Sequence, residues 1–371
     1  MGRLTSGRSR KLPVFAFLSA AVWLVPGTVV AQAGATGAKS RVEAQASPEE
    51  SPWLIVPTFS LNPKLGGAFG AMGAYLHYFD EKSRPSMFGV GAQYTTTKSA
   101  ILSLFARASW NEDKDRVIGM VGGGKIRNDY EDYLGTGAPL KTNDEFSMFL
   151  GRYLHRVYGN WFLGAQGIYS NYQLLGESAS DDQILDVLGL QGFKSGGLGF
   201  SLYHDSRDNE SDAHKGVLLN VNNIAYRDWI AGSENFDIYR AELRAFFEHG
   251  NGHVLAVRQF NKLTSGAPPT AFAAVQLRGY KAGQYLGEYM SSLEVEERLR
   301  LGERWTSTIF LGTAYLYGDN PSDAAFDNPY PDVGAGVQLV IKKKEGIVAN
   351  LETAFGKGGN YGIYIKLGYA Y

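Results

Sequence analysis

The residues best equipped for chemistry are few and poorly grouped. His204, Asp205 and Ser206 bring together the three side-chain types of a hydrolytic relay, in which a hydroxyl attacks, an imidazole takes its proton and a carboxylate orients the ring. Successive residues of a strand point to opposite faces, so the three cannot converge and no catalysis is expected of them. His77, His155, His249 and His253 are types that bind metals, but only His249 and His253 come close, across a turn. Neither a metal nor any other cofactor is expected. Gly119, Gly122, Gly123 and Gly124 resemble a phosphate-binding loop only superficially, because no helical pattern follows. Bends or close approach within a curved strand explain them better. The absence of cysteine removes thiol nucleophiles and disulfides, and suits a chain that crosses an oxidising compartment.

The elements that must position these residues are strands. From Trp53 onward no apolar run is long enough for a transmembrane helix, yet segment after segment alternates at period two. Tyr239, Ala241, Leu243, Ala245 and Phe247 oppose Arg240, Glu242 and Arg244. Leu293, Val295, Leu299 and Leu301 oppose Glu294, Glu296, Arg298 and Arg300. Tyr361, Ile363, Ile365, Leu367, Tyr369 and Tyr371 oppose Gly362, Tyr364, Lys366 and Gly368. One face suits lipid and the other a wet lumen, where Lys342 and Glu352 would join these charges in paired networks or in tuning a pore.

Turn signals divide residues 53–371 into sixteen such strands, among them 115–126, 144–157, 215–229, 286–301 and 361–371. Most reach about ten residues, the length a tilted strand needs to cross hydrocarbon, against about five or six in soluble sheets. Parity supports the count. With a periplasmic N-terminus, the short turns at Tyr158–Gly159, His249–Asn251, Gly302–Arg304 and Lys344 all fall inside. The long connections Arg127–Asn143, Leu174–Phe193, Ser265–Tyr285 and Gly318–Tyr330 all fall outside, as membrane barrels place them. The fold class is therefore all-β: a 16-stranded antiparallel transmembrane β-barrel. Its last strand must meet its first, since lipid offers an open edge no hydrogen-bond partner.

Ahead of the barrel, residues 1–31 read as a secretory signal peptide. Arg3, Arg8, Arg10 and Lys11 form a basic start, an apolar stretch runs from Leu12 to Val30, and Ala31 is a small cleavage residue. An uncleaved anchor is the alternative, but Pro26 and Gly27 favour cleavage. Removal of the leader leaves 32 basic against 37 acidic side chains, a net charge of −5, which gives no support to nucleic-acid binding. Residues 32–52, rich in Ala, Gly, Ser and Glu, read as a flexible periplasmic arm too short to be a domain.

Three stretches resemble the BamA/TamA family, the bacterial surface antigen superfamily of outer-membrane proteins. Leu277-Arg278-Gly279-Tyr280 looks like the R-G-F/Y motif on the loop that this family folds back into its barrel, and Ser292-Leu293-Glu294-Val295 looks like the strand that follows. The resemblance implies that Arg278 pairs with Glu294, with Glu296 as the fallback on the same face. The segment from Gly199 to Gly216, with Asp205, Arg207, Asp208 and Asn209, is similar to the family's strand end and periplasmic turn, although the usual proline is replaced around Ala213-His214-Lys215. Tyr369 and Tyr371 suit a C-terminal assembly signal, with Lys366 where a glycine is usual. The resemblance is best over Gly196–Tyr371. The family's polypeptide-transport-associated (POTRA) domains have no counterpart in residues 32–52.

The resemblance implies an integral outer-membrane protein that inserts or translocates protein or lipid through a weak seam between its first and last strands. Pro57, Gly356, Gly358 and Gly359 are expected to weaken that seam. The expected partners are outer-membrane lipid and a periplasmic protein in place of the missing domains. A passive pore or structural barrel is the alternative.

Overall fold

The computed structural model describes residues 52–62, 66–130, 140–173, 175–187, 194–209, 212–268, 271–280, 285–320, 325–342 and 347–367. The expected leader (1–31), all of the arm but Pro52, Lys344 and the C-terminal Tyr369 and Tyr371 lie outside them.

Alternating residues make long strands that pair with their neighbours in sequence. These are β1 (Trp53–Asn62), β2 (Gly66–His77), β3 (Ser86–Thr95), β4 (Ala100–Trp110), β5 (Asp115–Tyr130) and β6 (Leu140–Tyr158). They continue with β7 (Trp161–Gln173), β8 (Lys194–Asp205), β9 (Gly216–Tyr226), β10 (Phe236–His249) and β11 (His253–Ser265). After the short β12 (Ala273–Ala274) and β13 (Leu286–Gly287) come β14 (Tyr289–Arg300), β15 (Trp305–Tyr317), β16 (Tyr330–Lys342), β17 (Ile347–Gly356) and β18 (Tyr361–Leu367). Apart from β12 and β13, which pair with each other, they form one antiparallel sheet of sixteen strands in chain order. β1 and β18 come alongside, with Cα atoms within 8 Å, so the sheet curls into a barrel. Among the described residues no ladder joins these two, whereas every other neighbouring pair has one.

Alternation sorts the side chains as the sequence requires. Leu102 and Leu104 stand outward at 57% and 55% exposure, while Ile101, Ser103 and Phe105 between and beside them are buried in the lumen. On β14, Glu294, Glu296 and Arg298 are buried and Leu293 is turned out.

The lumen is drier than alternation suggested. Parts of the connection between β11 and β14, residues 271–280 and 285–287, fold into it. Its Val275, Leu277 and Tyr280 pack with Phe260, Met290, Leu316 and Tyr330, and its Ala271 with Ile168, Ile224, Tyr226 and Ile238.

Three strand limits differ from expectation. The hairpin of β5 and β6 runs on to Tyr130 and Leu140, adding four pairs inside what read as a loop. Thr142 and Asp144 are buried there although polar, so polarity does not alternate with burial and the paired strands resemble loop. β9 ends at Tyr226, and a 3-10 turn, Asp228–Ile230, follows where strand was expected. The expected strand 286–301 is divided, because Leu286–Gly287 pairs inside the lumen and the barrel wall resumes at Tyr289. The long connection after β7 also carries a helix, α1 (Ala179–Val187). Ser178 and Asp181 cap it reciprocally, with Ser178 N donating to Asp181 Oδ2 at 3.1 Å and Asp181 N to Ser178 Oγ at 3.3 Å.

Candidate functional site

Inward positions on β14, β16 and β17 bring Glu294, Glu296, Asp332 and Glu352 to one wall of the lumen, all buried. Four carboxylates cannot share a dry wall without a cation. The inserted loop supplies it. Arg278 Nη2 donates to Glu294 Oε1 at 2.8 Å and Nη1 to Glu296 Oε2 at 2.7 Å, with Glu352 Oε1 at 3.4 Å from Nη1. The guanidinium also lies flat on Phe310, 3.2 Å from the ring centre. Glu294 and Glu296 thus both hold Arg278 at once, where the sequence left one as a substitute for the other.

The residues beside Arg278 fix its approach. Gly279 has φ +90°, and a Cβ there would meet the β17 backbone at 3.2 Å, so this position requires glycine. Its N–H donates to Tyr364 Oη at 2.7 Å. Tyr280 Oη donates to the Pro331 carbonyl at 2.6 Å and accepts from Lys357 N at 2.9 Å. Its ring fills the space over Gly356, where a Cβ would be 2.7 Å from ring carbons. Gly356 therefore makes room for Tyr280, which is a different role from the seam weakening expected of it. Gly358 and Gly359 belong to the turn between β17 and β18. Pro57 sits in register opposite Ala71 of β2. A second fastening was not foreseen. Lys262, buried on β11, donates from Nζ to the carbonyls of Ala271 and Phe272 at 3.1 and 3.0 Å.

The turn between β8 and β9 is organised by its own carboxylates. Asp208 Oδ1 accepts from the backbone N–H groups of Asn209, His214 and Lys215, and Asn209 Oδ1 accepts from Asp212 N. Gly216, at φ +103°, lies against the Ser206 carbonyl. Asp205 takes a two-pronged bond from Arg207, at 2.9 and 3.1 Å. The departure from the family's proline is therefore met by a turn closed through Asp208. The turn also reaches the wall. Arg298 Nη1 donates to the Ala213 carbonyl at 3.2 Å and its Nε to Glu296 Oε1 at 2.8 Å. One continuous chain of contacts thus runs from the turn through Arg298 and Glu296 to Arg278.

A third cluster, absent from the sequence reading, lies at the same end of the barrel as that turn. Asp113, between β4 and β5, accepts from Arg116 Nε and Nη2 at 2.8 and 2.6 Å, from Arg156 Nη2 at 2.6 Å and from Ser109 Oγ at 2.6 Å. Burial alone would push its carboxyl up. The Arg116 bonds and charge, with Arg84 and Ser109, outweigh burial and hold it below the ordinary carboxylate range. Arg84 lies between Asp113 and Asp205 at 3.5 and 3.4 Å.

The hydrolase-like residues do not converge. His204 packs on Trp161 with the rings tilted by 44°, on the face opposite the buried Asp205. His249 and His253 have rings 5.7 Å apart, but His249 Nε2 is committed to Glu297 Oε1 at 2.9 Å. Among the described residues no group of three or more His, Asp or Glu is arranged to hold a metal.

The class defined by this architecture is the large outer-membrane-type β-barrel. No protein-family model matches the sequence, and no curated protein matches it. Solved structures do match. BamA from Haemophilus ducreyi lacking POTRA domains 1–3 is 11% identical with a TM-score of 0.56, covering 86% of this chain and 69% of that one. CdiB from Acinetobacter baumannii is 12% identical with a TM-score of 0.58, covering 85% and 59%. CdiB from Escherichia coli is 8% identical with a TM-score of 0.59, covering 87% and 63%. The chain spans 59% and 63% of the two CdiB chains. What is shared at these identities is the fold.

Proposed function

We propose that this chain is an integral outer-membrane barrel of the BamA/TamA kind, which inserts or translocates protein or lipid at a seam between β1 and β18. The observation that carries the reading is the Arg278-Gly279-Tyr280 segment seated in the lumen between Glu294 and Glu296, where the resemblance places the family's inserted loop. The seam agrees with it, since β1 and β18 are neighbours without a ladder among the described residues. The outward aliphatic belt is the lipid-facing surface, and a periplasmic protein would deliver cargo. No catalytic role is proposed.

The chain contains no cysteine, so a pair introduced on β1 and β18 forms the sole disulfide. The test is folding of a urea-denatured outer-membrane barrel into liposomes. Reduced protein should accelerate it over empty liposomes and oxidised protein should not. Equal rates with seam open and locked, or no acceleration at all, would refute the reading. A passive pore is the second reading, favoured by the arginine-rich lumen of β4–β11, and it makes seam locking immaterial.

A further inference from the structure

Register decides which charges meet inside the barrel. Pairing from β4 to β7 sets Arg107, Ile118, Arg152 and Gln166 in one inward row. Pairing from β8 to β11 sets Ser201, Asn222, Arg240 and Lys262 in the next. Gln166 ties the rows together, its Nε2 donating to Asn222 Oδ1 at 3.0 Å. Arg152 Nε donates to Gln166 Oε1, and Asn222 is the register partner of Arg240, so this link leads from one arginine to the other.

Elsewhere in this half of the lumen arginines have carboxylates. Glu242 holds Arg244 and Arg258, each at 2.8 Å. Asp113 holds Arg116 and Arg156, and Asp205 holds Arg207 and Arg84. Each carboxylate already serves two cations. The bonds of the central group are to neutral acceptors: Arg152 to the Gln166 amide oxygen at 2.8 Å, Arg240 to the Tyr226 hydroxyl, and Lys262 to two backbone carbonyls. Among the described residues none of these three makes an ion pair. Arg152 and Arg240, at inward positions, are only partly buried, so both retain access to the lumen.

Like charges gathered on a low-dielectric wall repel one another and raise the local concentration of anions. Guanidinium forks match phosphate oxygens two at a time. We propose that Arg152 and Arg240 form a lumenal site for a soluble, multiply charged oxyanion of the phosphate type. Such an anion supplies these two arginines with a countercharge. The assignment does not require the barrel to be an insertase.

Tripolyphosphate is the probe, titrated into the purified full chain in neutral detergent at constant ionic strength, with binding read by equilibrium dialysis. Wild type should bind it saturably. R152Q and R240Q should each weaken binding at least tenfold, and R300Q, at the rim outside the rows, should not. Absence of saturable binding to wild type overturns the proposal whether or not the variants fold, and so does equal weakening in all three. Displacement of the probe by micelles containing phosphatidic acid, but not by the same micelles without it, would overturn the soluble-ligand assignment in favour of a lipid headgroup.

Discussion

Arg278 is worth more than any one of its partners. Removing it takes from Glu294, Glu296 and Glu352 the cation they share and leaves Arg298 as the partner of Glu296. Breaking a buried ion pair from one side costs about 3–5 kcal/mol. Removing Glu294 leaves Arg278 still held by Glu296, at a cost of about 1–3 kcal/mol. The structure makes Arg278→Ala clearly the worse, which urea titration followed by the gel mobility of the folded barrel measures. Arg278→Lys should recover only part of the loss, because an ammonium cannot reach both carboxylates in the fork geometry or stack on Phe310 in the same way. The pairing could be anticipated only through the family motif. Glu352 and Tyr364 read as inward in the sequence, but their meeting with Arg278 and Phe310 did not show, because nothing local in sequence marks which inward residues end up at one height.

At the level of elements, the β8–β9 turn should respond to pH. A hydrogen bond donated to the Asp212 carboxylate, working against burial, holds His214 above the ordinary imidazole value of 6.5. A raised folded value means that charged His214 contributes its full stabilisation below pH 6.5, and that this contribution fades as pH rises through the folded value. Hydrogen exchange of the 212–216 amides should therefore quicken across that window, and His214→Asn should abolish the step. The inserted loop has a separate anchor, so Lys262→Met should speed exchange at residues 271–275, at a cost of about 1–3 kcal/mol for two carbonyls losing their donor. The Ser178-x-x-Asp181 box that starts α1 lies inside what read only as a long connection. The ends of β5 and β6 were not legible either, because their buried positions Thr142 and Asp144 are polar and carry no hydrophobic period.

For the whole molecule, the barrel was the most legible feature. Alternation, strand length and loop parity specify a two-faced closed sheet, and Leu102, Leu104 and Leu293 stand outward as that argument demands. What alternation could not convey is how the lumen is filled. Residues 271–280 and 285–287 carry no barrel strand, and their place inside depends on Arg278, Tyr280 and Lys262 finding partners across the interior. A loop held in this way should close the barrel to ions.

Single-channel conductance in planar bilayers therefore tests the account most directly. Wild type should conduct poorly, and Arg278→Ala should conduct markedly more as the loop leaves the lumen. A large wild-type conductance, unchanged by the substitution, would contradict a latched loop and mark the barrel as an ordinary pore.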